Sequence, residues 1–450
     1  MKVIEPATEK VLAEVAEAGI EDAERAVARA KAASPAWRAV TPHDRGQLLR
    51  RFAAGVESRL EDLAQLEARN VGKPISDARG EVGMVVDVFN YYAGAPERLL
   101  GNTIPVAGGV DMTFREPLGV VALIVPWNFP IAITSWKLGP ALAAGNTVVL
   151  KPAALTPMTA IELGRIALEA GIPEGVVNVV VGAGRTVGER LVQHPDVAKV
   201  AFTGSTEVGR RIGALAAESI KRVTLELGGK SANIVFADAD VERAAASAPL
   251  AVFGNAGQDC CARSRILVEA SAVDRFMQAL EKAIKTLRVG DPLDEKTEMG
   301  PLISADHRAK VASYLGDGAH VAIRGNAPAG PGYWFPPTVL SPVSGEDRAV
   351  REEIFGPIAT VIPFSDEDDA LRIANDTVYG LSGSIWTSNA ARAMRVARAL
   401  ETGTISINSN NSVRVTTPFG GFKQSGIGRE LGPNALDHYT ELKNVFLSTS

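Results

Sequence analysis

GVVALIVPWNFP, residues 119–130, is the stretch on which the fold turns. Residues 120–125 form an unbroken apolar run behind a glycine, the pattern of a strand covered on both faces, as in parallel sheets. The pattern recurs at 147–150, 176–181, 197–202 and 222–225. Thr156-Pro157 reads as the N-cap and first residue of an intervening helix. Strands alternating with helices in this way predict a doubly wound parallel sheet, with ligands gathered at the carboxyl ends of its strands. Those ends carry Pro126-Trp127-Asn128, Lys151, Gly182, Thr203-Gly204-Ser205 and Glu226. A second strand–helix series runs from Arg265 to about Asn408.

Upstream the period is helical. Residues 22–33 and 81–100 read as helices, and between them 44–70 reads as one long helix striped by Leu48, Phe52, Val56, Leu60 and Leu63. The Tyr91-Tyr92 pair reads as core packing. After Gly108-Gly109 the period falls to two, with Val110, Met112 and Phe114 alternating with Asp111, Thr113 and Arg115, a hairpin signal. Its unpaired edges call for another subunit or domain to cover them. At 450 residues and 46% hydrophobic, the chain can fill two to four domains with a full core. A formal net charge of −5 with interspersed signs, and no basic block, argues against a nucleic-acid partner. Residues 129–150 are too interrupted by Pro130, Lys137 and Pro140 to span a membrane. The start, MKVIEPATEKV, has no apolar signal region, and a reducing cytoplasm is the expected location. The five histidines, 43, 194, 307, 320 and 438, all lie far from the cysteines in sequence, which gives a Cys-His protease pair little weight.

Both cysteines sit side by side in FGNAGQDCCARSR, residues 253–265. Adjacent cysteines cannot close an ordinary disulfide without strain, so at least one thiol is free. A free cysteine is commonly a small buried hydrophobe. Glycines 254 and 257 and the polar Gln258, Asp259 and Arg263 make Cys260 a candidate nucleophile instead, with Cys261 packed into the wall. TGSTEVG (203–209) opens a helix whose first N–H groups can hold a phosphate. GAGRTVG (182–188) approaches a dinucleotide fingerprint but lacks the acid after a following strand; alone, neither is specific.

Together the pieces are. PWNFP (126–130), KP (151–152), FTGSTEVG (202–209), LELGGKSAN (225–233), GQDC (257–260), EEIFGP (352–357) and PFGGFKQSGIGRELG (418–432) stand in the order and spacing of the aldehyde dehydrogenase superfamily, which the chain resembles from EPATEKV at residue 5 to YTELKNV at 439–445. The resemblance implies a cofactor domain over 1–98 and 118–227, a catalytic domain over 228–425 carrying the cysteine, and an oligomerisation arm over 99–117 and 426–450. It implies oxidation of an aldehyde to the free acid with NAD. Cys260 resembles the family nucleophile, Asn128 with the Cys260 N–H the oxyanion hole, Glu226 the general base, and Glu430 a proton-relay carboxylate. Lys151 and Glu353 resemble the residues that hold ribose hydroxyls, and Lys151 also belongs to the implied catalytic set.

The resemblance further places Val125, Pro126, Trp127, Ala153 and Ala154 against the cofactor. Gly184, Gly188, Phe202, Gly204, Ser205, Val208 and Leu227 join them, as do His307, Lys310 and Phe355. Phe129, Ile133, Trp136, Asp259, Val413, Arg414 and Phe419 would form a substrate tunnel, and no metal is implied. The chain begins where the family's NPATGE segment usually sits, so the strands that customarily precede it are not expected. Ala154 replaces a glutamate frequent in NAD-preferring relatives. No arginine stands beside it in sequence to hold a 2′-phosphate, which makes NAD the expected cofactor and NADP the alternative. Asp259 either faces the tunnel, where with Glu81 or Asp87 it favours an aminoaldehyde, or pairs with Arg263, Arg265 or Arg414. An exposed Arg414 would favour an acidic semialdehyde. A homodimer or homotetramer is expected, and a catalytically retired binding or structural protein is the distant alternative.

Overall fold

The computed structural model describes residues 1–450 apart from 317, 412 and 450. Its first sheet has six strands in the order Gly426–Ile427, Arg222–Glu226, Val197–Thr203, Val120–Ile124, Thr147–Lys151 and Val177–Val179. The five long-range neighbours run parallel, and Gly426–Ile427 closes one edge antiparallel to Glu226 and Leu225. Every residue of Val120–Ile124 is buried, which is why its sequence shows no polar alternation. Strand order reverses on either side of it, and that crevice is where a doubly wound sheet binds its ligand. The register aligns Ile124 with both Lys151 and Phe202, and Thr203 with Glu226, so the polar residues at the strand ends meet on one rim.

The second sheet has seven strands, ordered Val321–Arg324, Thr338–Leu340, Ile358–Phe364, Arg265–Glu269, Ala232–Val235, Ser382–Trp386 and Thr404–Ile407. Its series starts earlier than the expected Arg265, because Ala232–Val235 lies in the interior of the sheet between Arg265–Glu269 and Ser382–Trp386. That strand is four residues long, and the polar KSAN beside it hides the apolar run. A third, antiparallel sheet pairs Thr103–Val106 with Gly109–Pro117 and the latter with Thr440–Ser448 over nine positions. The arm strand near the carboxyl terminus therefore begins at Thr440. Of the segment expected in the arm, Gly426–Ile427 instead joins the first sheet. The chain opens with a hairpin of Lys2–Glu5 and Lys10–Glu14, with EPATEKV spanning its turn.

Several element boundaries differ from expectation for local reasons. The single helix read over 44–70 is two, Pro42–Glu57 and Leu60–Val71. At the break Ser58 donates its hydroxyl to the Gly55 carbonyl and its N–H to Ala54, and Leu60 and Leu63 restart the stripe on a new axis. Gly55 is needed there: a Cβ on it would lie 2.8 Å from Ile166 Cγ2 on the helix Met158–Glu169. Thr156 does not cap that helix; Pro157 holds the cap position and Thr156 Oγ1 donates to the Trp127 carbonyl at 3.0 Å. The helix read over 81–100 is Ile75–Ala93, followed by a short 3-10 turn starting at Pro96. The first helix extends from Ile20 to Ala39, and the strand read over 176–181 shortens to Val177–Val179. Tyr92 is buried and donates to the Gly432 carbonyl, as a core tyrosine should, while Tyr91 is half-buried. Among the described residues no helix is long and apolar enough to cross a membrane.

Within the helical layer Phe52 is stacked on Phe89, with ring centroids 4.1 Å apart and both fully buried. Replacing Phe52 by Ala removes this contact between two helices and leaves a cavity. It should cost about 3–5 kcal/mol in urea unfolding. A loss below about 1 kcal/mol would mean that the layer collapses to fill the gap.

Candidate active site

The cysteine loop leaves the helix Val241–Phe253 and enters the strand Arg265–Glu269. Three consecutive residues, Asn255, Ala256 and Gly257, take left-handed backbone angles, with φ of 50°, 57° and 70°. Glycine is required at the third, because a Cβ there would lie 2.3 Å from the Gly356 carbonyl oxygen. The turned loop brings Asn255 beside Asn128, which follows the first strand of the other sheet. Asn255 Nδ2 donates to the Asn128 carbonyl at 2.9 Å and to the Gln258 carbonyl at 3.2 Å. Asn128 Nδ2 donates to the same Gln258 carbonyl at 2.9 Å. One N–H of the Asn128 amide is thus fixed, which sets the direction of the other. Gln258 is itself held by the Asn255 carbonyl and the Ile303 N–H. Asn255 was not singled out from sequence; its signal was an asparagine in a glycine-flanked turn, where a left-handed residue is tolerated.

Cys260 is half-buried and borders a cleft of about 670 Å³; Cys261 is buried, and both thiols are free. The Cys260 thiol is pushed well above its usual range by its contact with the Cys261 sulfur, by burial, and by the carboxylates of Glu226 and Asp259. Glu226 borders the same cleft with its side chain buried, and among the described residues neither carboxylate oxygen has a hydrogen-bond partner of normal length. Burial raises it to about 8, opposed by the charge of Lys137 and then by the Cys260 thiol. Lys137 is bound at 2.5 Å to Glu430 Oε1, both fully buried. Glu430 does not border the cleft, and its charge reaches Glu226 from behind. Lys137 escaped the sequence reading because it lies inside an otherwise apolar helix, Pro130–Ala143.

All the residues expected to touch a cofactor border this cleft. Val125, Pro126 and Trp127 come from one strand end, and Lys151, Ala153 and Ala154 from the next. Gly184, Gly188, Phe202, Gly204, Ser205, Val208 and Leu227 line its floor. His307, Lys310, Glu353 and Phe355 arrive from the second sheet's side. Ser205 caps the helix Thr206–Ala217 and accepts from the Val208 N–H. Burial lowers Lys151 to about 8, and its Nζ donates to the Pro152 carbonyl. Glu353 Oε1 accepts from the Gly229 N–H at 3.0 Å, and burial raises Glu353 to about 7. A Cβ on Gly229 would sit 2.2 Å from the Cys260 carbonyl oxygen, which requires the second glycine of LELGGK. His307 Nε2 holds the Phe355 carbonyl at 2.6 Å, and Trp127 meets both rings edge-on at 5.2–5.4 Å. Folding also brings Arg185 and Arg211 to this cleft, although neither is beside Ala154 in sequence; Arg211 is bound at both nitrogens by Glu189.

The tunnel residues divide. Ile133, Trp136 and Phe419 belong to the buried apolar cluster that includes Cys261, with Phe129, Val413 and Cys260 packed on its margin. Trp136 and Phe419 meet edge-on at 5.3 Å. Val413 and the exposed Arg414 border a second, open cavity of about 770 Å³ together with Glu57, Asp87 and Tyr91. Like Ile133, Trp136 and Phe419, Asp259 borders neither of these two cavities. Its Oδ1 folds back to accept the Cys261 N–H at 2.8 Å, closing the turn at the nucleophile. Nor does it pair with Arg265, which is spent on the Lys230, Ile373 and Ala374 carbonyls, or with Arg414, which reaches Asn411. Burial raises the Asp259 carboxyl above its ordinary value, opposed by the Cys261 N–H and then by the charge of Arg263. Glu81 is held by Lys73 at 2.5 and 2.7 Å, and Lys73 also lies 4.2 Å over the Phe129 ring.

The Glu226 shift has a thermodynamic consequence. A carboxyl raised from 4.5 to about 8 in the fold binds more protons folded than unfolded, so the stability it contributes is full below about 4.5 and is lost as pH rises through 8. Glu226→Gln keeps the shape and cannot ionise. Its denaturation midpoint should match wild type at pH 5 and exceed it increasingly up to pH 9; a gap independent of pH would show that Glu226 ionises at an ordinary carboxylate value.

Comparison with known proteins agrees with this geometry. Residues 1–445 match the model of the aldehyde dehydrogenase family. Betaine aldehyde dehydrogenase of Bacillus subtilis (strain 168) is 42% identical over 459 residues, covering 99% of this chain and 94% of that protein. Phenylacetaldehyde dehydrogenase of Pseudomonas fluorescens is 43% identical, covering 100% and 92%. The NAD+ complex of aldehyde dehydrogenase from Bacillus cereus superimposes with a TM-score of 0.98 at 43% identity, covering 100% of this chain and 93% of that one. With sequence and fold matched along nearly its whole length, the chain belongs to the aldehyde dehydrogenase family.

Proposed function

We propose that the chain oxidises an aldehyde to its carboxylic acid through a covalent adduct on Cys260, with NAD as the hydride acceptor. The observation that carries this reading is the meeting of a cleft-facing thiol, an amide locked in direction and a buried carboxyl without a partner, all at the rim of a doubly wound sheet. The cleft fits a dinucleotide by its donors and acceptors. A capped helix start at Ser205–Thr206 suits a pyrophosphate, and Lys151 with the second oxygen of Glu353 suits ribose hydroxyls. NAD held there would supply the hydride acceptor for oxidation of the first adduct.

The chain's own residues do the rest. Cys260 sulfur bonds to the carbonyl carbon as its S–H bond breaks, the proton passing to water in the cleft. The oxygen left with the charge is met by the free N–H of Asn128 and the backbone N–H of Cys260. Glu226, when ionised, takes a proton from the water that opens the thioester and releases the acid. The carboxyl at this position argues for hydrolysis rather than transfer to a thiol acceptor. Cys260→Ala should abolish turnover. Glu226→Gln should slow steady-state turnover by about 10²–10⁴-fold while leaving a single-turnover burst of reduced cofactor. Loss of burst and turnover together would place Glu226 in the first step. In wild type the hydrolytic rate should rise with pH through about 8, where the Glu226 base form accumulates.

A cationic aldehyde is the second reading of substrate, favoured by Glu57 and Asp87 at the outer cavity, with Arg414 opposing them. The two free thiols suit a reducing compartment such as the cytoplasm. The three-stranded sheet exposes Ile104, Val106, Phe114, Leu442, Phe446 and Leu447, apolar surface suited to a second copy of the chain. Light scattering should therefore give a dimer or tetramer at micromolar concentration, and Phe446→Asp should shift it toward monomer. A monomeric wild type would remove the arm from the interface.

A further inference from the structure

The turn that presents the nucleophile carries more sulfur than the reaction needs. Catalysis uses Cys260; Asp259 closes the turn through the Cys261 N–H, which any residue but proline would supply at that position. We propose that Asp259, Cys260 and Cys261 together form a site for a thiophilic divalent cation, zinc or cadmium, whose binding reversibly blocks the nucleophile.

The geometry supports it in three ways. One donor atom from each of the three residues lies within 4.8 Å of the other two. Cys260 Sγ and Asp259 Oδ1 are 3.7 Å apart. A tetrahedral zinc with Zn–S of about 2.3 Å and Zn–O of about 2.0 Å holds sulfur and oxygen about 3.5 Å apart and two sulfurs about 3.8 Å apart. The cluster therefore closes on a metal by side-chain adjustments of about 1 Å or less. Adjacent cysteines that strain to form a disulfide meet no such obstacle here, because a metal between the sulfurs relaxes the distance they must span. The turn is also braced from outside, by Ala262 N–H on the Asp259 carbonyl and Arg263 N–H on the Ala251 carbonyl, so the three donors stay together.

The second observation is Glu226. It borders the same cleft as Cys260, is 2% exposed, and among the described residues has neither carboxylate oxygen hydrogen-bonded. A dry carboxyl near the Cys260 thiol and the Asp259 carboxylate favours added positive charge, which a divalent cation supplies beside that of Arg263. Access is through the cleft that Cys260 borders. Binding forms two metal–sulfur bonds and breaks two S–H bonds, with both protons released to solvent and no change of oxidation state. Affinity therefore rises with pH. The cation needs Cys260 as a ligand and not as a catalyst, so the site stands or falls separately from the reaction proposed above.

The test uses the full chain after dialysis against a chelator. Cadmium is titrated while the ultraviolet thiolate-to-cadmium charge-transfer band is followed, and zinc affinity is measured by competition with a chromophoric chelator. Wild type should develop the band to one equivalent per chain and lose aldehyde oxidation in parallel, recovering on chelation. Cys261→Ala keeps the backbone N–H and the nucleophile. It should retain aldehyde oxidation, while zinc affinity falls more than about tenfold and the band falls to that of a single thiolate. Should the alanine variant not fold by circular dichroism, Cys261→Ser, closer in volume, carries the same expectation. Absence of the band in wild type, or zinc held as tightly by the Cys261 variants, overturns the site.

Discussion

The carbonyl oxygen of Gln258 accepts two carboxamides, from Asn128 and Asn255, and the rest of the site depends on that junction. Asn128 comes from the end of a strand in one sheet, and Gln258 from a loop between elements of the other. A backbone carbonyl has two lone pairs, so both can be satisfied without competition. The cost is carried in the loop, where two non-glycine residues take left-handed angles. Asn255 offsets part of that cost with its own side chain, which bonds across to Asn128 and back to Gln258. A loop relaxed into ordinary angles would take Asn255 off Asn128 and free the amide to rotate.

Around that junction the buried charges are arranged in tiers. Glu226 faces the cleft without a protein partner, whereas Glu430 behind it is spent on Lys137. Lys199, fully buried and lowered to about 7 by desolvation, donates to Thr224 and lies over the Tyr439 ring. An ion pair in such a place is weak evidence of stability, since desolvation of both members opposes their attraction. Its effect on Glu226 is clearer. Lys137 pulls the carboxyl toward ionisation while burial and Glu430 push the other way, and the balance leaves it near neutrality. A carboxyl in water would sit far lower and be a poorer base.

The strands of the first sheet were legible because a strand buried on both faces has to be apolar throughout, and residues 120–125 and 147–150 are. The rim was legible because strand ends of a doubly wound sheet collect ligand-binding residues, and Lys151 and Ser205, at or just past strand ends, border the one cleft. What escaped depends on partners distant in sequence. Ala232–Val235 is too short to announce itself and owes its identity to neighbours on both sides. Thr156 reads as a cap by local grammar, yet its hydroxyl is taken by Trp127, 29 residues earlier. Asp259 reads either as a tunnel residue or as an arginine's partner, and a short acid next to a turn also competes for local N–H groups, so one of its oxygens is taken by the Cys261 N–H. Lys137 and Asn255 carry no local signal of the work they do, since their partners lie 293 and 127 residues away.

The two groups that face the cleft are both shifted upward, Cys260 well above its usual range and Glu226 to about 8, largely by the same dry surroundings. Read singly, each shift looks like an obstacle to chemistry at neutral pH. Read together they are less so, because interacting groups titrate as a pair and not singly. Ionising a thiol in a low-dielectric cleft costs least while the neighbouring carboxyl is neutral, because two like charges there repel. The Glu226 charge raises the proton affinity of Cys260, whereas the protonated thiol lowers that of Glu226, so the site resists holding both anions at once. The pair therefore admits one negative charge, shared in turn between sulfur and carboxylate. That is the order a nucleophilic step followed by a basic one demands.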